Sequence, residues 1–273
     1  MKKLLLAGIS LTALVAGPAM AADLPVRAPA YTPPPAVVYY NWSGCYIGAN
    51  VGGGWTKSNT YGNPLPDPVA YGFVPMDVST NGSGVVAGGQ AGCNLQVASN
   101  FVVGIEGDFS WSGVKGEGTV GPIESIPPGA GFVPGSFATS THEVAWVGTV
   151  RGRAGVAFDR LLVYITGGVA FANLKTTADE VFLTPVSNPG SLDANRIGWV
   201  GGIGLEYAIT FNWIVRGEYL YHQFASDTFV GYRVPVLPTF GVEYTTGRTN
   251  LSVARLALSY KFGDPPPVIN YSK

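Results

Sequence analysis

The sequence predicts an all-β protein: an eight-stranded, antiparallel, up-and-down transmembrane β-barrel, with both chain ends on one side and four long loops on the other. Three observations predict it. First, 47% of the 273 residues are hydrophobic and 12% are charged, against a usual charged share of ~25%. Second, no helical span follows the first 21 residues. The longest apolar run there is Leu161-Leu162-Val163-Tyr164-Ile165, far below the ~20 residues a spanning helix needs. Third, a period-two alternation recurs between Cys45 and Phe262. The first two exclude helix bundles, and the apolar content argues against disorder. The shortage of surface charge argues against an ordinary soluble enzyme.

The chain opens on Met1-Lys2-Lys3, an apolar stretch from Leu4 to Ala16, and Gly17-Pro18-Ala19-Met20-Ala21 with small residues at −3 and −1. This pattern predicts a signal peptide over 1–21, cut after Ala21. Removing Lys2 and Lys3 from 16 basic against 17 acidic residues leaves a slightly acidic chain, so no nucleic-acid partner is expected. Residues 22–41 are proline-rich and predict an extended periplasmic linker. A second proline cluster, Pro265-Pro266-Pro267, lies in the tail 263–273. Composition marks both as spacers, or as contacts with peptidoglycan or another envelope component. Only Cys45 and Cys93 are present, which does not suggest a metal site, while export permits a disulfide.

The barrel is expected over 42–262. Its cleanest strand is Phe101 to Trp111. Phe101, Val103, Ile105, Gly107, Phe109 and Trp111 share one face; Val102, Gly104, Glu106, Asp108 and Ser110 share the other. The first segment sets Ile47, Ala49, Val51 and Trp55 against Tyr46, Gly48, Asn50 and Gly52. The second sets Val85, Ala87, Ala91 and Leu95 against Gly88, Gln90 and Asn94. The fourth sets Trp146, Val150, Ala154, Val156 and Phe158 against Thr149, Arg151 and Arg153. In the fifth, Val163, Ile165, Val169 and Phe171 oppose Tyr164, Thr166 and Gly168. In the sixth, Ile197, Trp199, Ile203, Leu205 and Tyr207 oppose Arg196, Gly202 and Glu206. The seventh places Trp213, Val215, Tyr219 and Tyr221 against Arg216, Glu218 and His222. The last places Ala254, Leu256, Leu258, Tyr260 and Phe262 against Arg255, Ser259 and Lys261.

The gaps alternate in length. Val97–Asn100, Asp159–Arg160 and Ala208–Asn212 are short; 57–83, 113–143, 172–195 and 225–249 are long. Outer-membrane barrels show this pattern, with short periplasmic turns and long external loops. A strand of about 11 residues at ~3.3 Å each, tilted by ~40°, rises ~28 Å, close to the apolar band of such barrels. Closure is required, because an open edge in lipid would leave backbone N–H and C=O groups unpaired.

Parity alone does not say whether the apolar face points outward or into a cup. Aromatics at strand ends, from Trp55, Phe101 and Trp111 to Trp213 and Tyr260, favour outward girdles. The opposite face carries Glu106, Asp108, Glu206 and Glu218 with Arg151, Arg153, Arg216, Arg255 and Lys261, a near-balanced set that can pair inside a closed ring. Inward glycines such as Gly48, Gly88 and Gly204 make room for these long side chains.

The stretch Trp42-Ser43-Gly44-Cys45-Tyr46-Ile47-Gly48-Ala49-Asn50-Val51-Gly52-Gly53-Gly54-Trp55 resembles the opening strand of the small porin-like outer-membrane proteins of alphaproteobacteria, the outer membrane immunogenic protein family. Gly88-Gly89-Gln90-Ala91-Gly92, Gly198-Trp199-Val200-Gly201-Gly202 and Trp213-Ile214-Val215-Arg216-Gly217-Glu218-Tyr219 also match, as does the closing Arg255-Leu256-Ala257-Leu258-Ser259-Tyr260-Lys261-Phe262. The resemblance runs from the leader to the last strand and implies an eight-stranded barrel in the bacterial cell outer membrane. It implies that Leu256, Leu258, Tyr260 and Phe262 carry the signal read by the barrel-assembly machinery, although eleven residues follow Phe262 here. Positions 45 and 93 are commonly aromatic in the family. That double departure, on adjacent strands near the periplasmic rim, leads to an expected disulfide between Cys45 and Cys93 with a Cα separation of ~4.4–6.8 Å.

The expected role is structural: a surface-exposed integral protein in contact with outer-membrane lipid that contributes to envelope integrity, with no enzymatic activity, cofactor or metal. The alternative is a narrow porin-type diffusion channel, with Arg151 and Arg153 lining the pore. His142 and His222 are the only histidines. His222 is expected at the barrel mouth. A hydrolase centred on it lacks a serine at a matching offset on that strand.

Overall fold

A computed structural model describes residues 40–65, 76–123, 131, 133–183, 186–232 and 241–263. The expected signal peptide, most of the linker and nearly all of the tail lie outside them. The elements are β1 (Gly44–Leu65), β2 (Met76–Gln96), β3 (Phe101–Val120), β4 (Phe137–Phe158), β5 (Leu161–Leu183), β6 (Val186–Ser187), β7 (Gly190–Ala208), β8 (Trp213–Phe224), β9 (Asp227–Tyr232), β10 (Gly241–Thr246) and β11 (Thr249–Lys261).

All pairings are antiparallel. β1 pairs β2, and the ladder runs on through β3, β4, β5, β7 and β8 to β11. β11 then pairs β1 from Tyr46↔Lys261 to Lys57↔Asn250. Eight strands therefore form a closed ring. The β2–β3, β4–β5 and β7–β8 turns lie at the end where the described chain enters and leaves, here the terminal end.

Outward residues are those the pattern predicts. Ile105 and Trp111 are 69% and 68% exposed, and Val85, Val150, Ile165, Ile197, Ile203 and Leu256 are comparably bare. A wall of valine, isoleucine and leucine open to water would forgo ~25 cal/mol for each Å² left unburied and form a patch of the kind that marks a membrane or partner contact, so this surface needs an apolar surround. Its upper limit is defined. Trp111 pairs with Trp146, and beyond them Lys115, Glu143, Lys175 and Asp193 lie directly opposite one another across β3, β4, β5 and β7. Lys115 Nζ and Glu143 Oε2 are 3.0 Å apart, with both side chains partly in solvent. The wall thus changes from greasy to charged within four residues of one strand.

Two expectations about the long loops need correction. Strands of 12 to 23 residues replace the ~11 expected in the ring, because β1 to β5 and β7 continue well past the apolar band. Much of what reads as loop over 57–83, 113–143 and 172–195 is paired strand. There the outer face turns polar while the inner face holds Ser58, Thr60, Thr80, Ser140 and Thr176, so the apolar alternation disappears although the backbone ladder persists. The segment 225–249 contains a further pairing, β9 with β10, and β10 docks on the far part of β1.

The interior is stratified. At the terminal end Tyr40, Trp42, Val102, Ala157, Leu162, Ala208 and Ile214 pack together. A layer of charged side chains follows. Beyond it Val86, Val114, Val147, Val200, Leu220, Phe224, Leu251 and Val253 form an apolar stratum. Next comes a hydroxyl layer, with the His142 ring bonded to Thr60, Ser140 and Thr176. Ala178, Phe229, Val242 and Tyr244 close the far end.

Candidate functional site in the ring interior

Strand register builds the charged layer. Glu106 lies opposite Arg151, Glu206 opposite Arg216, and Glu218 opposite Arg255, so oppositely charged side chains on the inner face are immediate cross-strand neighbours. Inward direction then brings five strands' side chains to the axis. Arg151 is completely buried and reaches Glu106 Oε1 at 2.5 Å, Asp108 Oδ2 at 3.0 Å and Glu218 Oε1 at 3.0 Å. Arg255 holds Asp108 Oδ1 at 2.9 Å and Glu218 Oε2 at 2.7 Å. Arg153 reaches Glu206 Oε1 at 2.5 Å and Glu106 Oε2 at 3.4 Å. Arg216 holds the same two carboxylates, each at 2.6 Å.

The network is two four-membered sets joined by the Arg151–Glu106 bond. One contains Arg151, Arg255, Asp108 and Glu218; the other contains Arg153, Arg216, Glu106 and Glu206. Each carboxylate is held by at least two guanidiniums, and the layer is neutral. Planar guanidinium forks suit this bridging, which lysine could not reproduce. Two tyrosines and a threonine complete it. Tyr46 donates to Glu106 Oε2 at 2.5 Å, Tyr164 donates to Glu218 Oε1 at 2.8 Å, and Thr149 donates to Asp108. The Arg153 guanidinium lies 4.0 Å from the Tyr164 ring centroid. Gly204 makes that ring position available, since a Cβ there would overlap it.

Lys261 is the one residue of the expected charge set that lies apart. It sits in the terminal mouth, donates to Asn41 O, and stands 4.2 Å from the Tyr40 ring centroid and 4.6 Å from that of Phe211. Its inward parity is as expected, but β11 places it below the carboxylates, where aromatic faces receive it. The end of the linker is packed rather than extended away. Tyr40 N donates to Asp159 Oδ1, Trp42 Nε1 to Asp159 O, and Trp42 N to Gln96 Oε1, each at 2.9 Å. Sequence reasoning placed Tyr46, Tyr164 and Thr149 on the inner face but gave them no role. It placed Tyr40 in the proline-rich linker and Trp42 at the start of the barrel, and gave neither an anchoring role.

Cys45 and Cys93 lie opposite each other in the β1–β2 register and form a disulfide. Their Cα atoms are 3.9 Å apart, below the expected ~4.4–6.8 Å. Leu256, Leu258, Tyr260 and Phe262 all point outward along β11 and just past its end. His222 is not at a mouth. It is buried, its Nδ1 is 3.1 Å from Leu251 O, and its ring stacks on Phe224, because β8 ends only two residues later within the apolar stratum. The Arg151 and Arg153 guanidiniums are occupied by the carboxylates. Chemically the layer offers paired ions rather than an unpaired acid, base or nucleophile.

A family model described as an outer membrane protein beta-barrel domain matches residues 9–262. The chain is 34% identical over 265 residues to the 31 kDa outer-membrane immunogenic protein of Brucella melitensis, covering 96% of this chain and 100% of that one. It is 28% identical over 246 residues to the 25 kDa outer-membrane immunogenic protein of Brucella abortus, covering 87% of this chain and 85% of that one. Among solved structures, the outer membrane protein OprG from Pseudomonas aeruginosa aligns with a TM-score of 0.44 and 12% identity, over 82% of this chain and 99% of that one.

Proposed function

Because the chain belongs to the outer membrane protein beta-barrel domain family and resides in the bacterial outer membrane, we propose that it is a structural, surface-exposed wall element rather than a solute channel. One observation carries this reading: the ring interior is filled. The charged layer has an apolar stratum on one side and the Tyr40–Trp42 cluster on the other, and an ion would have to displace all three. Dehydrating an ion past packed valines and leucines costs many kcal/mol.

In this reading the ring is an eight-stranded barrel with both termini in the periplasm, and the long extensions of β1 to β5 and β7 stand outside the cell. The outward face contacts lipid, and the closing strand with Leu256, Leu258, Tyr260 and Phe262 is what the assembly machinery engages. The proline-rich termini are left as periplasmic tethers to envelope components such as peptidoglycan. Deleting the gene tests the role. The expected result is greater sensitivity to detergent and to large hydrophobic dyes, restored by the wild-type gene. Unchanged sensitivity together with slower uptake of small hydrophilic solutes would overturn the reading in favour of the channel.

A further inference from the structure

Glu180 stands on β5 well beyond Phe171, where the apolar outer band ends. It points inward and is 2% exposed. β5 and β6 pair with Val181 opposite Ser187. One step further from the hairpin tip, Asn188 N donates to Glu180 O at 3.1 Å, so Asn188 faces Glu180 across the hairpin. The Asn188 side chain is 1% exposed. Cross-strand neighbours share a face, so both side chains leave the hairpin on the same, buried side.

Three of their polar atoms have no hydrogen-bond partner: Glu180 Oε1, Asn188 Oδ1 and Asn188 Nδ2. Orphaned buried polar atoms cost about 1–3 kcal/mol each, and three on two adjacent side chains call for one explanation. Among the described residues no lysine or arginine pairs with Glu180. The titratable groups packed around it are Asp179 on its own strand and Tyr244 of β10, whose hydroxyl donates to Asn188 O at 2.7 Å. β1 presents Gly62, where a Cβ would overlap Glu180 Oε1, and β10 presents Val242 beside it. The surroundings add negative charge or none.

We propose that Glu180 and Asn188 form a proton-dependent clasp that closes the β5–β6 hairpin onto the far end of the ring. One proton satisfies all three atoms. The carboxylic acid donates to Asn188 Oδ1 while Asn188 Nδ2 donates to the other carboxyl oxygen, a face-to-face acid–amide pair. A metal ion held between Oε1 and Oδ1 would turn Nδ2 away and leave it unpaired. Burial, reinforced by the Asp179 charge, pushes the Glu180 carboxyl up to about 7. A carboxyl raised in the closed state binds more protons closed than open. Closure is therefore tightest below its ordinary range near 4.5, weakens as pH climbs toward about 7, and levels off above that. The clasp does not depend on which side of the membrane this end faces, nor on the structural role argued above.

Hydrogen exchange at the amide of Asn188, which donates to Glu180 O across the hairpin, tests it in the full chain folded in lipid nanodiscs. After correction for intrinsic exchange, opening should rise roughly tenfold to a hundredfold between pH 5 and 8. Glu180→Gln keeps the shape and an amide–amide pair, and should remove that dependence. Asn188→Leu, a second variant, should raise opening at pH 5 toward the wild-type value at pH 8. A flat wild-type profile, or the same pH dependence in Glu180→Gln, would overturn the proposal. So would recovery of full protection at pH 8 with millimolar calcium, which would give the site to a cation.

Discussion

Replacing Arg151 with methionine removes the link between the two halves of the charged layer. Arg151 makes three ion pairs, to Glu106, Asp108 and Glu218, with no solvent contact at its side chain. Removing one partner from a buried ion pair costs about 3–5 kcal/mol, because the other charge is left uncompensated. Here each stranded carboxylate keeps another arginine: Glu106 keeps Arg153 and Arg216, while Asp108 and Glu218 keep Arg255. The loss should therefore fall in the lower part of that range, about 3–4 kcal/mol. Pairing Arg151→Met with Glu218→Leu restores neutrality, so the double variant should cost less than the sum of the single ones by about 1 kcal/mol or more. Urea unfolding in lipid vesicles, followed by tryptophan fluorescence and by the gel-mobility difference between folded and unfolded chain, measures both. If Arg151→Met unfolded within about 1 kcal/mol of wild type, as expected of an exposed pair, the layer would be hydrated and the filled-interior argument would fail.

Lys115→Gln, at the exposed Lys115–Glu143 pair, should change stability by no more than about 1 kcal/mol in the same titration. Gly204→Ala forces a methyl group into the Tyr164 ring and should destabilise by about 1–3 kcal/mol. Ile105→Arg, on the middle of the outward wall, should cost about 2–4 kcal/mol in vesicles; a neutral result would mean that position does not face lipid. Replacing Cys45 and Cys93 together with serine should lower unfolding stability by about 2–4 kcal/mol, and no free thiol should be labelled in the folded wild type without reductant.

The ring was legible because lipid and interior impose opposite demands on alternate residues. From Ile105 to Trp111 inward Glu106, Asp108 and Ser110 alternate with outward Ile105, Gly107, Phe109 and Trp111, and the structure preserves that division. Above the girdle the demand disappears. Ser58 and Thr60 face inward while Lys57 and Asn59 face outward; both sets are polar, and period two leaves no trace in composition although β1 continues to Leu65. The apolar stratum was hidden for the opposite reason. In Val85-Val86-Ala87 both faces are apolar, so Val86 looks like part of the lipid wall when it packs inside. The charged layer was readable as a set because charge on the inner face must pair, but its wiring depends on interstrand register, which parity does not fix. Lys261 shows the limit: its face was right and its depth was not.

Single-channel recording in planar bilayers tests the central claim most directly. On the proposed reading the charged and apolar strata block the ring, so the purified, fully folded chain should give no reproducible conductance steps in molar salt. Stable unitary steps, abolished or rescaled in Arg151→Met or Glu218→Leu, would contradict it and make the same layer the filter of a pore.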